Sequence, residues 1–323
     1  MSTVFVYALM RLFGDTQEGF TNELILGVEH SFLPELVAGL SVTWRRKTDV
    51  RDFQPLFTDA NGVDRTASAD EYVQNLLPVT GTLPDGSTFS WPTFFANPSL
   101  SYTGGTLFTN GDREVNYFGS AITLTKRLTN QWMLRGFINY NFNEEWTVPS
   151  SFFNDNDPNR LQPDNIKGGR VDGQTFVVQS FLARRKSVWM QSTWQWNLNG
   201  MYQVAPDRSW GFNVAANLNG REGFPIPYFV PVQGLDGISR NILAPNNVED
   251  FRNDNIAIMD LRLEKEFRAS GNTSLTFSID AFNIFNDGAV LQRFDNLNSG
   301  AAAWVTETLS PRIFRLGVRL NWR

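Results

Sequence analysis

Cysteine is absent from the 323 residues, which excludes a disulfide framework, a thiolate metal site and a cysteine nucleophile. Histidine occurs once, at His30, so histidine-rich metal sites are excluded as well. No apolar run approaches the roughly 20 residues that a spanning helix needs. With 41% hydrophobic residues and a mean hydropathy of -0.27, the chain is not a helical membrane protein. No basic run exceeds Arg45-Arg46-Lys47 or Arg184-Arg185-Lys186, and the net charge is -5. Without a basic field, nucleic acid is not an expected partner. Phosphate-cradling glycine loops are missing, since Gly104-Gly105 and Gly168-Gly169 are isolated pairs. The stretch Met1 to Phe13 has neither a basic leader nor an Ala-x-Ala-like cleavage site, and does not read as a signal peptide.

What the chain has in quantity is aromatic side chains, 14% with 27 Phe and 10 Trp, a content that suits girdles of rings at membrane interfaces. It also has two-residue periodicity. At the C-terminal end Phe314, Leu316, Val318, Leu320 and Trp322 fall on one side, and Arg315, Gly317, Arg319, Asn321 and Arg323 on the other. A soluble sheet with one face on a core shows such alternation too. Here the pattern recurs on long strands down the chain, and no helical segment is left to cover the apolar surface. The economical reading is that lipid covers it, as in an outer-membrane β-barrel.

Period two predicts about ten strands, at 3–13, 21–32, 36–50, 114–127, 131–145, 188–204, 209–221, 255–268, 273–286 and 312–322. Tight connectors built on Leu33-Pro34-Glu35, Leu128-Thr129-Asn130, Ala205-Pro206-Asp207-Arg208 and Ala269-Ser270-Gly271-Asn272 alternate with long polar ones at 51–113, 146–187, 222–254 and 287–311. The short segment 14–20 belongs with the long class. Short turns therefore lie at one rim and long loops at the other, the arrangement of periplasmic turns and outer loops in such barrels. Strand 36–50 points Leu36, Ala38, Leu40, Val42 and Trp44 outward against Gly39, Ser41, Thr43 and Arg45. Strands 188–204 and 209–221 oppose Trp194, Trp196, Leu198, Phe212 and Val214 to Gln195, Asn197, Asn199, Asn213 and Asn217. An inner face rich in Asn, Gln, Thr and Arg suits a wet lumen and not a dry core.

The strongest polar constellation is on the last three strands. Asp260, Arg262, Glu264 and Glu266 share one strand face, Asp280 faces inward from the next strand, and Arg315 and Arg319 from the last. The ordinary reading is a cross-strand ion-pair ladder; the sharper one is a polar path for a ligand or a contact surface for a plug. With Arg45 and Arg135 these residues are the lumen-lining candidates. Aromatic candidates for ligand contact on the outer loops are Trp91, Phe94 and Phe95, within FSWPTFFANP, and Phe224 and Tyr228; the same rings are equally able to pack a loop over the barrel mouth. No catalytic or metal-binding residue is assigned, and no cofactor is expected. His30 joins Leu26, Val28 and Phe32 on the outer face near a tight turn, far from the long loops. The Glu144-Glu145 pair and the Asp155-Asn156-Asp157 run lack the spacing of a known site and read as solvated loop charge.

The segments MDLRLEKEF (259–267), SIDAFNIFN (278–286) and SPRIFRLGVRLNW (310–322) resemble the closing strands of TonB-dependent outer-membrane receptors, in particular the Oar-like group with a carboxypeptidase-regulatory-like N-terminal domain. The hairpin ITLTKRLTNQWMLRGFINYNF (122–142) and the opening TNELILGVEHSFLPEL (21–36) are similar to earlier strands of the same barrels. The resemblance spans nearly the whole chain. It implies a 22-stranded barrel, plugged by an N-terminal domain, that takes up a ligand with energy passed through TonB. With no signal peptide, TonB box or plug and about ten strands, the whole chain 1–323 is expected to be the C-terminal part of such a barrel. The terminal strand ends Trp322-Arg323, where many of these barrels end on an aromatic residue.

The expectation is therefore an all-β, transmembrane, antiparallel meander barrel in the outer membrane of a Gram-negative bacterium. It is not expected to be an enzyme. Its partners would be outer-membrane lipid, an unidentified ligand and, for the full-length receptor, the plug and the TonB complex. Two alternatives remain at this stage. A self-contained ten-stranded barrel would serve as a passive pore or a surface adhesin, pairing 3–13 with 312–322. A barrel enzyme would depend on His30.

Overall fold

The computed structural model describes residues 10–12, 19–49, 51–110, 114–146, 159, 192–246, 250–270 and 273–322. Nine long strands form one sheet: β1 (Phe20–Leu33), β2 (Leu36–Thr48), β3 (Glu114–Thr129), β4 (Trp132–Trp146), β5 (Trp194–Val204), β6 (Phe212–Arg221), β7 (Ile256–Ser270), β8 (Thr273–Phe282) and β9 (Ile313–Trp322). Each pairs antiparallel with the next, so the sheet is an uninterrupted meander.

The hydrophobic pattern fixes the register. Val28, Leu40, Ile122, Ile138 and Trp196 lie in one row across β1 to β5. A slip of one residue would turn the opposite face of the strand into that row, bringing in Glu29, Ser41, Thr123, Asn139 or Gln195. The opposite face carries its own rows, among them Asn199, Asn217 and Asp260, and Arg262, Asp280 and Arg315. The apolar row side chains stand open: Leu26 is 62% exposed and Leu316 79%. Among the described residues no helix is long and apolar enough to cross a membrane, and the one helical element is a single 3-10 turn at Ala69–Glu71.

Short connections lie at one rim. Between β3 and β4 the loop is Asn130-Gln131, both at positive φ (50° and 75°), the two-residue hairpin geometry whose twist matches the strands. Between β5 and β6, Gly211 is required, because a Cβ there would come 2.1 Å from the Ala205 carbonyl oxygen. β6 therefore begins at Phe212 and not at 209, since the turn is still closing through Gly211 N–H to Arg208 O. β8 stops at Phe282, short of the expected 286, because Asn283 and Asn286 take left-handed φ values of 48° and 56°, which short polar side chains tolerate.

Two expectations are corrected. The segment 3–13 is not a wall strand where it is described: Met10–Leu12 pairs in parallel with Thr106 to Phe108, on the edge of strand Ser101–Asn110 that Arg51–Thr58 leaves free. Among the described residues the sheet thus has nine strands. Nor are the long connections plain polar loops. Residues 51–110 hold seven short strands, and Phe229–Gln233 with Ser239–Leu243, and Val290–Arg293 with Val305–Thr308, are hairpins.

These connections fold on one another as a cap with its own cores. Leu83 and Phe89 pack with Ile226, Tyr228, Val230 and Ala244, and Phe57 packs with Ala67, Ala96 and Leu100. Asp236, its side chain fully buried, pairs with Arg240 at 2.6 Å and accepts the Ala96 amide at 2.9 Å. One carboxylate thus pins the 229–243 hairpin to the strand Phe94–Ala96. Burial pushes the Asp236 carboxyl up, but Arg240 and the amides of Ala96 and Ile238 outweigh it and hold it below its ordinary value.

Candidate functional site

The polar face of β5 to β9 is a connected network. Asn197 donates to Asn217 at 2.9 Å, Asn217 donates to Asp260 at 3.3 Å, and Asp260 also accepts the Asn283 amide at 2.9 Å. Beside this amide chain runs a charged one. Arg262 reaches Glu264 at 2.5 Å and Asp280 at 3.2 Å, and Arg315 takes the other Asp280 oxygen at 3.0 Å. Four of the sequence-predicted residues, Arg262, Glu264, Asp280 and Arg315, are thereby brought together, with Asp260 in the adjoining chain. Cross-strand placement explains it: these side chains stand on the same face at neighbouring register positions.

The other polar candidates stand apart. Arg45 pairs with Glu23 across β1 and β2 and lies 5.6 Å from the Tyr117 ring centre. Arg135 is exposed on the same face of β4, opposite Thr125 and Asn199. Arg319 faces Thr276 and has no ion pair among the described residues. His30 sits on the apolar face opposite Ala38, edge-on to Phe32 at 4.7 Å. The run 155–157 lies outside the described residues, as do the side chains of Glu144 and Glu145.

The aromatic candidates are used by the cap itself. Trp91 donates its indole N–H to Ala244 O at 2.8 Å. Phe94 exchanges backbone hydrogen bonds with the Asn159 amide at 2.7 Å each way, and Phe95 is buried. Tyr228 is 2% exposed and edge-on to Phe251, and burial raises the pKa of its hydroxyl. Phe224 lies under the Arg221 guanidinium at 3.8 Å. These rings close over the rim, and burial leaves Phe95 and Tyr228 little surface to offer a ligand.

Beneath the cap, on the polar face, is a cavity of about 480 Å³. Gln195, Asn219 and Arg221 line it from β5 and β6, Ile258 from β7, and Leu291 and Leu309 from the connection above. It is within the roughly 300–1,000 Å³ usual for small-molecule sites. The sequence reading did not single it out, because Arg221 and Leu309 meet only through the fold.

Two lysines were also missed. Lys126 and Lys265 interrupt the apolar alternation next to the short-turn rim. Lys126, 6% exposed, donates to the carbonyls of Arg127, Thr129 and Trp132 and sits 4.0 Å from the Trp132 ring centre. Lys265 donates to Ser209 O and Gly211 O of the adjacent turn. Each lays an alkyl stem along the apolar face and turns its ammonium to the turn carbonyls. The break in parity was the available signal.

No protein-family model and no curated protein sequence matches the chain. Among solved structures, the chain is similar to BauA, the ferric preacinetobactin receptor from Acinetobacter baumannii, at 13% identity and a TM-score of 0.47, covering 93% of this chain and 29% of that one. It is similar to the outer membrane transporter YddB from Escherichia coli at 14% identity and a TM-score of 0.48, covering 98% and 34%. A variant of the monoaromatic hydrocarbon channel TodX gives 12% identity and a TM-score of 0.27, covering 92% and 60%. The chain thus spans about a third of the length of the first two.

Proposed function

We propose that this chain is wall, lumen lining and outer cap of a ligand-uptake barrel in the outer membrane of a Gram-negative bacterium, the C-terminal part of a TonB-dependent receptor with a 22-stranded barrel. One observation carries the reading. Nine strands turn an uncovered apolar face one way and a hydrogen-bonded polar face the other, and every long connection is at the same rim. Strands of 10 to 16 residues are long enough for a bilayer core, which needs about 9–11 when tilted. Water against that apolar face is costly, at roughly 25 cal/mol for each Å² left wet.

The first and last strands support a larger barrel. Among the described residues β1 pairs only with β2 and β9 only with β8, and an open sheet edge is not tolerated in hydrocarbon. Further strands on either side would satisfy both edges, and a plug on the polar face would meet the network around Asp280 and Asp260. TonB supplies the energy in this reading, and the barrel's task is gated passage, not bond chemistry.

The test has two arms. In cells carrying the full-length receptor, external protease should cut at the exposed Pro84-Asp85-Gly86 turn and spare the Pro206-Asp207 turn until the outer membrane is opened. Accumulation of the ligand should cease when TonB is removed. Cutting at both turns from outside would overturn the topology; accumulation without TonB would overturn energised uptake in favour of a passive pore.

A further inference from the structure

The cavity beneath the cap contains a charge with no counter-charge among the described residues. Among the described residues Arg221 donates to Glu222 O at 3.1 Å and lies over Phe224. The neighbouring Glu222 carboxylate is engaged elsewhere, with Arg252 at 3.1 Å and the Thr193 amide at 2.8 Å. Among the described residues no carboxylate lines the cavity. Elsewhere on this face Glu23 neutralises Arg45, and Asp280 neutralises Arg262 and Arg315; Arg319, like Arg221, has no ion pair among the described residues, but it stands exposed on open strand and does not line this cavity. Three amides, Gln195, Asn197 and Asn219, complete the polar part of the lining. Gln195 and Asn219 make no side-chain hydrogen bond among the described residues, whereas Asn197 and Asn217 on the same strands are joined. The rest of the lining is apolar, with Phe137 and Ile258 below and Leu309 above.

From this we infer that the cavity is a binding site for a short peptide with apolar side chains and a free C-terminal carboxylate, the carboxylate on Arg221 and a peptide group between Gln195 and Asn219. A guanidinium fork matches a two-oxygen acid in plane. A primary amide carries both donor and acceptor, so two unpaired ones suit a peptide bond, which presents both. The apolar lining takes the side chains. The inference names the ligand class for the uptake reading above and rests on it for its purpose, though not for its geometry.

The test is calorimetric titration of the full chain in detergent with N-acetyl-Leu-Phe and with the corresponding C-terminal amide. The acid should bind at least tenfold more tightly, and its advantage should vanish in Arg221→Gln. Arg221→Lys, which keeps charge and loses the fork, should retain part of it, and Asn219→Ala should weaken acid and amide alike. Comparing acid with amide on the unmutated chain holds even where a variant fails to fold. Equal binding of both probes, or binding of neither, overturns the site. Binding by the purified chain without accumulation by cells overturns uptake and leaves the site; accumulation unaffected by Arg221→Gln does the reverse.

Discussion

Arg262 and Asp280 face each other across β7 and β8 with guanidinium and carboxylate 3.2 Å apart, and Arg315 occupies the carboxylate's other oxygen at 3.0 Å. The Asp280 side chain is 7% exposed while the two arginines remain in partial contact with solvent. A single buried acid thus ties three strands together on the polar face. Replacing it leaves Arg262 with Glu264 alone and Arg315 without an ion pair among the described residues.

Asp280→Asn should destabilise the sheet by about 2 kcal/mol, the cost of leaving a buried charged network short of one partner. Arg319→Gln, four positions along β9 and without an ion pair among the described residues, should change stability by no more than about 0.5 kcal/mol. Urea unfolding followed by gel mobility compares the two. Equal losses would mean that the Asp280 network contributes nothing particular.

Leu316→Arg should cost about 2–4 kcal/mol if the apolar face meets hydrocarbon near the bilayer centre. Asn199→Arg, on the wet face of β5, should be close to neutral. Refolding yield into lipid vesicles separates them, and a neutral Leu316→Arg would count against a lipid-facing side.

The cap depends on Asp236. Asp236→Ala leaves Arg240 buried without its carboxylate and frees the Ala96 amide, a change expected to cost about 3 kcal/mol. Amide exchange at 94–96 and 239–243 should quicken while exchange in β7 to β9 stays as it was. Unchanged protection in the cap would show that the apolar clusters alone hold it.

A pH dependence follows from Glu71, whose carboxyl is held down to about 2 by Arg65, the Ser68 amide and the Ser68 hydroxyl. A depressed acid stabilises the folded form above its unfolded value of about 4.3. The contribution is lost as pH falls from there through about 2. A carboxyl titration by NMR should place Glu71 near the lower figure, and the turn 65–71 should loosen only in that acid window. Titration at an ordinary glutamate value would contradict the pairing.

Period-two alternation made the wall legible. The row from Val28 to Trp196 and the opposing Asn and Arg positions could be read residue by residue, because a strand's faces are set by parity alone. The same logic placed Arg262, Asp280 and Arg315 on one surface before their contacts were known. The cap was not legible. Leu83 meets Tyr228, and Trp91 meets Ala244, across sequence separations that no local pattern encodes. Short strands such as Phe94–Ala96 are too brief for a periodic signal. The cavity at Arg221 belongs to the same class, since its walls come from β4, β5, β6, β7 and the last connection. The stretch Met10–Leu12 misled because alternation identifies a strand and not its partner.

The division between a greasy side and a wet side of one sheet can be measured directly. Nitroxide labels placed singly from Phe314 to Asn321, with the full chain in lipid bilayers, report collisions with dissolved oxygen and with a water-soluble nickel chelate. The account predicts a strict two-residue alternation, with oxygen favoured at Phe314, Leu316, Val318 and Leu320, and nickel at Arg315, Gly317, Arg319 and Asn321. Uniform access to nickel along β9, or protection of every site from both reagents, would contradict it.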